Sequence, residues 1–427
     1  MKDGSAAQGP SVVGRVRWGI CALIFFGTMI NYIDRHMISV LKPTLQGEFG
    51  WSEQDYADII FSFQLAYAFG YVIFGYLMDS LGARVGYSIA AVTWGLATMA
   101  HAAAGATWHF MLARVMLGFG EAGNFPASVK AVTEWFPKKE RALGIGIITA
   151  GANIGAILTP MLAAFLVPRF GWRPAFLIVG LIVFVWLVFW IGVYRPPRSK
   201  RNLSPSELDH IESDGIETPQ KVAWLPLLRH RQTWAFAMGK FLLDPTWWFF
   251  MFWLPGFFVS VYGLNLAMLS VPLAITYIMT DAGGIGGGWL SSHLIKRGWS
   301  ANVARKATML ACSLCVLPVV FAPVAGHRAY QPYVLLIGLA MAGHQGFAVN
   351  LLTLPSDLFP ARAVGAVTGI GGTLGALGGM AMAKFTGWML QEKGDYVMIF
   401  AVAALNHLIG LLIIHLLVPK FRQAKLA

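Results

Sequence analysis

Long apolar runs separated by short polar segments recur twelve times along this chain. They lie near 18–41, 54–78, 85–105, 107–131, 141–167, 174–194, 233–260, 268–294, 305–324, 331–354, 363–389 and 395–418. A helix crosses the hydrocarbon core of a bilayer with about 20 mainly apolar residues. Lipid offers no partner for backbone N–H and C=O groups, so each run is predicted to be helical. The runs are too long and continuous for barrel strands. The expected fold class is an all-α membrane protein with twelve transmembrane helices. Arg15 and Arg17 precede the first run, which ends in Asn31-Tyr32-Ile33-Asp34-Arg35 without a small-residue cleavage site. It reads as a retained span rather than a signal peptide.

One polar stretch is much longer than the rest. Residues 195–232 contain Arg195-Pro-Pro-Arg198, Ser204-Pro205-Ser206-Glu207 and Glu217-Thr-Pro219. They read as a linker between an N-terminal six-helix half, 1–194, and a C-terminal six-helix half, 233–427. The halves echo each other. Glu134-Trp-Phe-Pro137 follows the fourth run and Asp357-Leu-Phe-Pro360 the tenth. At the same offset Gly120, Gly123, Gly146 and Gly155 meet Gly343, Gly346, Gly369 and Gly378. Gly75-Tyr76-Leu77 after the second run is echoed by Gly288-Trp289-Leu290 after the eighth. Parallel repeats of this kind place a substrate site at their interface near the bilayer midplane.

Composition agrees with this pattern. Hydrophobic residues make up 57% of the 427 and charged residues 12%, against about a quarter charged in soluble domains. The net charge of +12 would suggest nucleic acid in a soluble protein. Here the basic residues sit in short loops, with no basic stripe interleaved with aromatics, so no nucleic-acid partner is expected. Of the 32 Lys and Arg, 22 fall on the side that holds both termini and five on the other. The remaining five, Arg35, Arg114, Lys130, Lys240 and Lys384, lie in or near spans. The positive-inside rule makes the terminal side cytoplasmic, as in a plasma (inner) membrane protein. The three cysteines, Cys21, Cys312 and Cys315, lie in apolar runs. No disulfide framework is expected, and Cys312-x-x-Cys315 reads as packing, since no βαβ pattern surrounds it.

Charges inside spans carry most of the chemistry, because each costs about 2.5 to 3.5 kcal/mol at a helix centre on translocon scales. Asp34 and Arg35 are neighbours, so they point about 100° apart and need different partners. Arg114 and Glu121 are seven apart, on one face of the fourth span. A polar crossing of spans one and four follows. It is either a structural ion-pair network or a functional site, and the weak stabilisation from buried ion pairs favours function. Gln64 and Tyr67 share a face of the second span, where they can hydrogen-bond sugar hydroxyls or a neighbouring helix. Lys240 and Asp244 form an i,i+4 pair. Pro245 predicts a kink or break beside them. Trp247 and Trp248 follow, suited to stacking on a sugar ring or to an interfacial belt. His344 occupies the repeat position of Glu121, and Gln345 follows it; a His inside a span is a hydrogen-bond donor, a proton carrier or a helix–helix contact, and Lys240, Trp247, Trp248, His344 and Gln345 are expected to contact the substrate, reading the sugar's hydroxyls and ring. No second His lies at metal-ligand spacing, so no metal site and no cofactor are expected. Asp281 is a further buried acid, available for coupling or as a partner for Lys240.

Some signals mislead. Gly118-Phe-Gly120-Glu-Ala-Gly123 matches G-x-G-x-x-G, but no strand precedes it, so it is not a dinucleotide site. Gly371-x3-Gly375-x3-Gly379 lets helices approach closely. There is no Walker A lysine motif, and neither a nucleophile with a base nor a metal cluster, so no enzyme is expected.

The loop Gly75-Tyr-Leu77-Met-Asp79-Ser-Leu-Gly82-Ala-Arg84 resembles the G-x-L-x-D-x-x-G-x-R/K signature of the major facilitator superfamily. Within it, Asn31-Tyr-Ile-Asp34-Arg35, Arg114-x6-Glu121, Phe125-Pro126 and Trp135-Phe136-Pro137 resemble the anion:cation symporter branch. The stretch Lys240-Phe-Leu-Leu-Asp244-Pro245-Thr-Trp247-Trp248 with Phe252-Trp253-Leu254-Pro255, and His344-Gln345-Gly346 leading to Ser356-Asp357-Leu-Phe359-Pro360, are similar to hexuronate transporters of that branch. The resemblance implies proton-coupled uptake of a sugar-acid anion by alternating access, by a monomer in the lipid bilayer. It implies that Arg35 takes the substrate carboxylate, with Tyr32 and Tyr67 nearby. Asp34 and Glu121 would carry protons, with Arg114 tuning Glu121. Gly75, Asp79 and Arg84 would form a latch that closes the cytoplasmic side. An Arg suits a carboxylate through its planar fork and permanent charge. Two buried acids suggest two protons, moving one net positive charge with a monoanion. Gly151-x3-Gly155 lacks the Gly-Pro pair of the antiporter signature, which favours symport. The rivals are an aldonate, aldarate or dicarboxylate symporter and, outside transport, a membrane-bound enzyme or a receptor.

Overall fold

In a computed structural model, residues 14–213, 224–323 and 329–424 are described. Lys2, Lys221, Arg328 and Lys425 of the charge asymmetry, and Glu217-Thr-Pro219 of the linker, lie outside them. The described residues hold fourteen α-helices and no strand. The N-terminal helices are α1 (Val16–Phe49), α2 (Glu53–Ala100), α3 (Thr107–Glu121), α4 (Asn124–Trp135), α5 (Lys138–Phe170) and α6 (Trp172–Val193). The linker holds α7 (Pro205–Ile211) and α8 (Trp224–Leu227). The C-terminal helices are α9 (Arg231–Tyr262), α10 (Ser270–Lys296), α11 (Ala301–Val316), α12 (Gln331–Leu358), α13 (Ala361–Lys393) and α14 (Val397–Leu417).

Helices and spans do not correspond one to one. The second and third spans form one continuous element, α2, interrupted at Gly82 (φ 77°, ψ 162°), a conformation that costs glycine little and other residues much. The fourth span is divided between α3 and α4. The ninth continues from α11 as a 3-10 turn, Leu317–Phe321. Among the described residues, eight helices are long and apolar enough to cross a membrane, and the element over 53–103 has the length for two crossings. Of the remaining crossings, α3 and α4 are each too short because the span is divided between them, and α9 and α10 are less apolar, carrying charged, polar and glycine residues. Those are the helices that build the interior.

Of the kink or break expected near Pro245, the break is absent, and α9 runs helical through Pro245 and Pro255. Pro245 cannot donate to Phe241 O. Gly378 of α13 closes on that carbonyl, and a Cβ there would overlap it. Close packing therefore holds the turn together. The glycine run of α13 has the same use. Gly371 lies against Phe236, Gly375 against Lys240 and Asp244, and Gly379 against Trp248, all on α9. The internal repeat is visible in such contacts. Gly120 abuts Trp94 N of the preceding span, and its counterpart Gly343 abuts Cys312 O. Gly118, Gly120 and Gly123 are thus packing glycines.

In the N-terminal half, α2 packs on α3 and α6, and α1 on α5; in the other, α10 packs on α12, and α9 on α13 and α14. The halves meet through α2 with α13, α5 with α10, and α1 with α9. Linker helix α7 is tied to the first half. Arg17 N donates to Glu207 Oε1 (3.1 Å), Arg17 Nε to Glu140 Oε2 (2.9 Å), and the His210 ring also meets Glu140 (2.9 Å). Burial alone would raise the Glu140 carboxyl, but the hydrogen bonds from His210 and Arg17 outweigh it and hold it below the usual glutamate range.

Between the halves a cavity of about 630 Å³ opens on the side where α1 begins and α14 ends, with Gly75, Tyr76, Trp224 and Gly365 at its mouth. On the opposite side the halves are joined. Lys384 pairs with Asp58, Tyr56 Oη donates to Phe252 O (2.8 Å), and Glu53 N donates to Gln391 Oε1 (3.2 Å).

Candidate functional site

The closed end of the cavity is aromatic. Tyr67 and Tyr71 of α2 face Lys240, Asp244 and Trp248 of α9. Tyr67 and Trp248 meet edge to face at 6.2 Å. Behind Tyr67 lies the charged crossing of α1 with α3. Arg35 Nε donates to Glu121 Oε2 at 2.7 Å, with both side chains almost fully buried. Arg35 Nη2 also donates to Asn31 Oδ1 (3.3 Å). Its guanidinium lies 4.6, 4.9 and 5.5 Å from the ring centres of Tyr32, Tyr67 and Phe63. The three rings add cation–π attraction to the ion pair with Glu121.

Glu121 takes its direct contact from Arg35 of the first span, not from Arg114, which shares its helix. Two helical turns separate Arg114 and Glu121 by about 10 Å of rise, and α1 passes between them. Arg114 Nη2 donates to the Arg35 carbonyl (3.1 Å), while Glu121 takes the Arg35 side chain. Asp34 and Arg35 do point to different partners. Neither oxygen of buried Asp34 has a hydrogen bond, and Trp94 and Thr98 are the polar groups beside it. Arg114 Nε and Nη1, Glu121 Oε1, Asn31 Nδ2 and both amide atoms of Gln64 are likewise enclosed and unpaired.

Lys240 and Asp244 make the expected pair, at 2.7 Å. Of the two tryptophans, Trp248 lines the cavity. Trp247 stacks on His344, centres 6.0 Å apart. Gln345 is directed at Gly284 of α10. Asp281 partners neither Lys240 nor another acid; it bonds to Asn153 of α5, across the two halves. No histidine lies at metal-ligand spacing from His344 in the sequence, but His407 of α14 lies 3.1 Å from it in space. The two are 63 residues apart, so no spacing rule reveals them. No group of three metal-ligating side chains occurs among the described residues. Sequence reasoning also missed Tyr71, Phe63, Asn153 and Phe236, ordinary span residues that only the packing brings to the site.

A match to the Major Facilitator Superfamily covers residues 24–383. The chain belongs to that superfamily. It is a multi-pass membrane protein. The chain is 33% identical over 406 residues to the hexuronate transporter of Escherichia coli (strain K12), covering 93% of each. It is 34% identical to the galacturonate transporter of Dickeya chrysanthemi over 64% of this chain and 81% of that one. It is 30% identical to the D-galactonate transporter of Escherichia coli O6:H1 over 94% and 96%. A solved bacterial homolog of the human lysosomal transporter Spinster, inward-facing and unoccupied, shares the fold with TM-score 0.71 at 17% identity, covering 96% of both chains.

In this member of the superfamily the two charged side chains of the signature loop are partnered within the first half. Asp79 is 83% exposed and 3.9 Å from Lys130. Arg84 Nη2 donates to Ile191 O (2.6 Å). Gly75 borders the open cavity.

Proposed function

We propose that this protein is a secondary active transporter, not an enzyme, that takes up a sugar-acid anion, a hexuronate above all, together with protons by alternating access. The observation that carries the reading is the Arg35–Glu121 pair behind the aromatic end of the cavity. The hexuronate and galacturonate transporters to which the chain is similar support the substrate class. We read residues 1–194 and 233–427 as the two rocking halves and 195–232 as their linker, in a monomer. The asymmetry of basic residues supports cytoplasmic termini in an inner membrane. With that orientation the cavity faces inward and the signature latch is released.

Charge balance supplies the mechanism. Arg35, Arg114, Asp34 and Glu121 sum to zero when all are ionised. A substrate carboxylate that takes Arg35 from Glu121 leaves one uncompensated negative charge in a low-dielectric site, which is costly. One proton on Glu121 restores neutrality. This balance favours one proton per substrate rather than the two that counting acids suggests. Tyr67 and Trp248 would close over the sugar ring, and Lys240 with Asp244 would meet its hydroxyls. Closure of the loaded site then requires neutral contents, so substrate and proton cross together.

The second reading, an aldonate carrier, rests on the similarity to a D-galactonate transporter. Counterflow uptake into proteoliposomes with labelled glucuronate, galacturonate, galactonate and a dicarboxylate separates the two. Strongest exchange of the hexuronates supports the proposal. Preference for galactonate selects the rival, and no exchange of any acid refutes both.

A further inference from the structure

One ion pair faces the cavity itself. Lys240 Nζ donates to Asp244 Oδ1 at 2.7 Å, and the two side chains stay partly exposed, at 18% and 19%. Among the described residues they are the only charged members of the cavity wall; the other polar side chains there belong to tyrosine, tryptophan and threonine. Thr368 and Thr373 spend their hydroxyl hydrogens on Val364 O (2.8 Å) and Gly369 O (3.1 Å) of their own helix. Lys240 and Asp244 sit one turn apart on α9, where i and i+4 side chains meet. The packing of α13 leaves room for the pair: a Cβ on Gly375 would collide with Asp244 Oδ2 and press on Lys240 Cε at 3.3 Å. Tyr67 links this wall to the first charged site. Arg35 lies 4.9 Å from the centre of its ring, and Trp248, one turn on from Asp244, meets it edge to face at 6.2 Å. The two ion pairs differ in one respect. Arg35 and Glu121 come from different helices, α1 and α3, so their contact can open when either helix shifts. Lys240 and Asp244 ride on one helix and move as one body when the halves rock.

We propose that Asp244 sets the charge of the anion this cavity accepts: by holding the Lys240 ammonium it leaves the wall of the second half without a free cation, so the site takes monoanions and turns away dianions. The inference rests on the sugar-acid reading above. The charge balance given there compensates one carboxylate, with Arg35 and one proton. A second carboxylate on the same molecule meets the Lys240–Asp244 wall, whose net charge is zero. To be held there it must draw Lys240 away and strand the Asp244 carboxylate in a low-dielectric site, which is costly. It also meets the repulsion of that carboxylate at close range. A hydroxyl meets neither cost. It carries no charge and can donate to the Asp244 carboxylate while the pair stays intact. The first half thus reads the acid group, and the second half reads the absence of another one.

The test is competition against counterflow of labelled glucuronate in proteoliposomes holding the full chain. The competitors are gluconate and glucarate, which share a carbon chain and differ in one carboxylate. The wild-type protein should bind gluconate more tightly than glucarate. Asp244→Asn keeps the shape of the side chain and frees the Lys240 charge, so the glucarate-to-gluconate ratio of affinities should rise about tenfold, the effect of one gained charge-assisted bond. Adding Lys240→Gln to Asp244→Asn removes the freed cation and should return the ratio to about the wild-type value. A wild-type protein that prefers glucarate overturns the inference, as does an unmoved ratio in Asp244→Asn. A ratio that stays raised in the double variant also overturns it, because the gain then does not come from Lys240. If Asp244→Asn no longer exchanges glucuronate, the ratio is read from the protection each acid gives the purified protein against thermal unfolding, and an unmoved ratio there has the same force. A wild-type protein that exchanges no acid refutes the sugar-acid reading, and this inference falls with it. A wild-type protein that exchanges glucuronate while Asp244→Asn keeps the wild-type ratio refutes this inference alone.

Discussion

Replacing Arg35 with lysine keeps the charge and removes the fork, which isolates what the guanidinium contributes. In the substrate-free protein Arg35 Nε donates to Glu121 at 2.7 Å and Nη2 to Asn31 at 3.3 Å, leaving Nη1 without a protein partner among the described residues. A carboxylate that displaces Glu121 can therefore be held by two parallel N–H groups. A lysine offers one ammonium on a flexible stem and forfeits about one charge-assisted bond, worth about 1.5 to 3 kcal/mol. At 1.4 kcal/mol per decade, substrate Kd should rise about 10- to 150-fold in Arg35→Lys. Arg35→Ala should abolish binding. It also strands the buried Glu121, a loss of about 3 to 5 kcal/mol in stability unless that acid is protonated. The assay is equilibrium binding of labelled hexuronate to purified protein, with thermal unfolding as the control for folding. A folded Arg35→Lys protein that binds within threefold of wild type would refute direct carboxylate contact and leave Arg35 a distant charge.

Three further outcomes are expected. Lys384→Ala, or Asp58→Asn, removes the ion pair that joins the halves on the closed side; labelling of a cysteine at Phe61 from that side should rise, and unchanged labelling would show that the pair does not hold this gate. Asp79→Asn should lower transport while unfolding stays within about 1 kcal/mol, as for a solvent-exposed group; a cysteine at Tyr76 should become more accessible from the side of the termini, and no increase would count against a latch. Glu140→Gln should be less stable than wild type at neutral pH. A carboxyl held below its ordinary value of 4.5 stabilises fully above that value, and the stabilisation is lost as pH falls through the lowered one. The gap between the two proteins should therefore narrow in acid, and a gap that widens would contradict the Arg17 and His210 contacts.

The spans were legible because membrane crossing imposes a length and a composition that few other structures share. The residues of the charged crossing were legible for a related reason: Asp34, Arg35, Arg114 and Glu121 stand out where lipid tolerates no idle charge. Their pairing was not. The choice between Arg35 and Arg114 as the partner of Glu121 depends on where α1 crosses α3, and no helical period encodes that. At Pro245 the continuity of the helix was hidden for the opposite reason. A local rule predicts a break, and a glycine 133 positions away in α13 compensates for it. Trp247 and Trp248 looked equivalent because adjacent residues differ only in the direction they face. His407 carried no signal, since a lone histidine in an apolar run looks like any other until His344 is beside it.

The central claim is that protonation of Glu121 couples the proton gradient to substrate movement. Its most direct measurement is uphill accumulation of labelled hexuronate in proteoliposomes under a pH gradient of about one unit, acid outside, with the membrane potential clamped. One unit corresponds to about 1.36 kcal/mol per proton, or about tenfold accumulation for each proton carried. About tenfold is expected for the wild-type protein. No accumulation is expected from Glu121→Gln, which mimics the protonated acid and should still perform counterflow. Accumulation by Glu121→Gln equal to that of the wild type would contradict the claim and return the Arg35–Glu121 pair to a structural role.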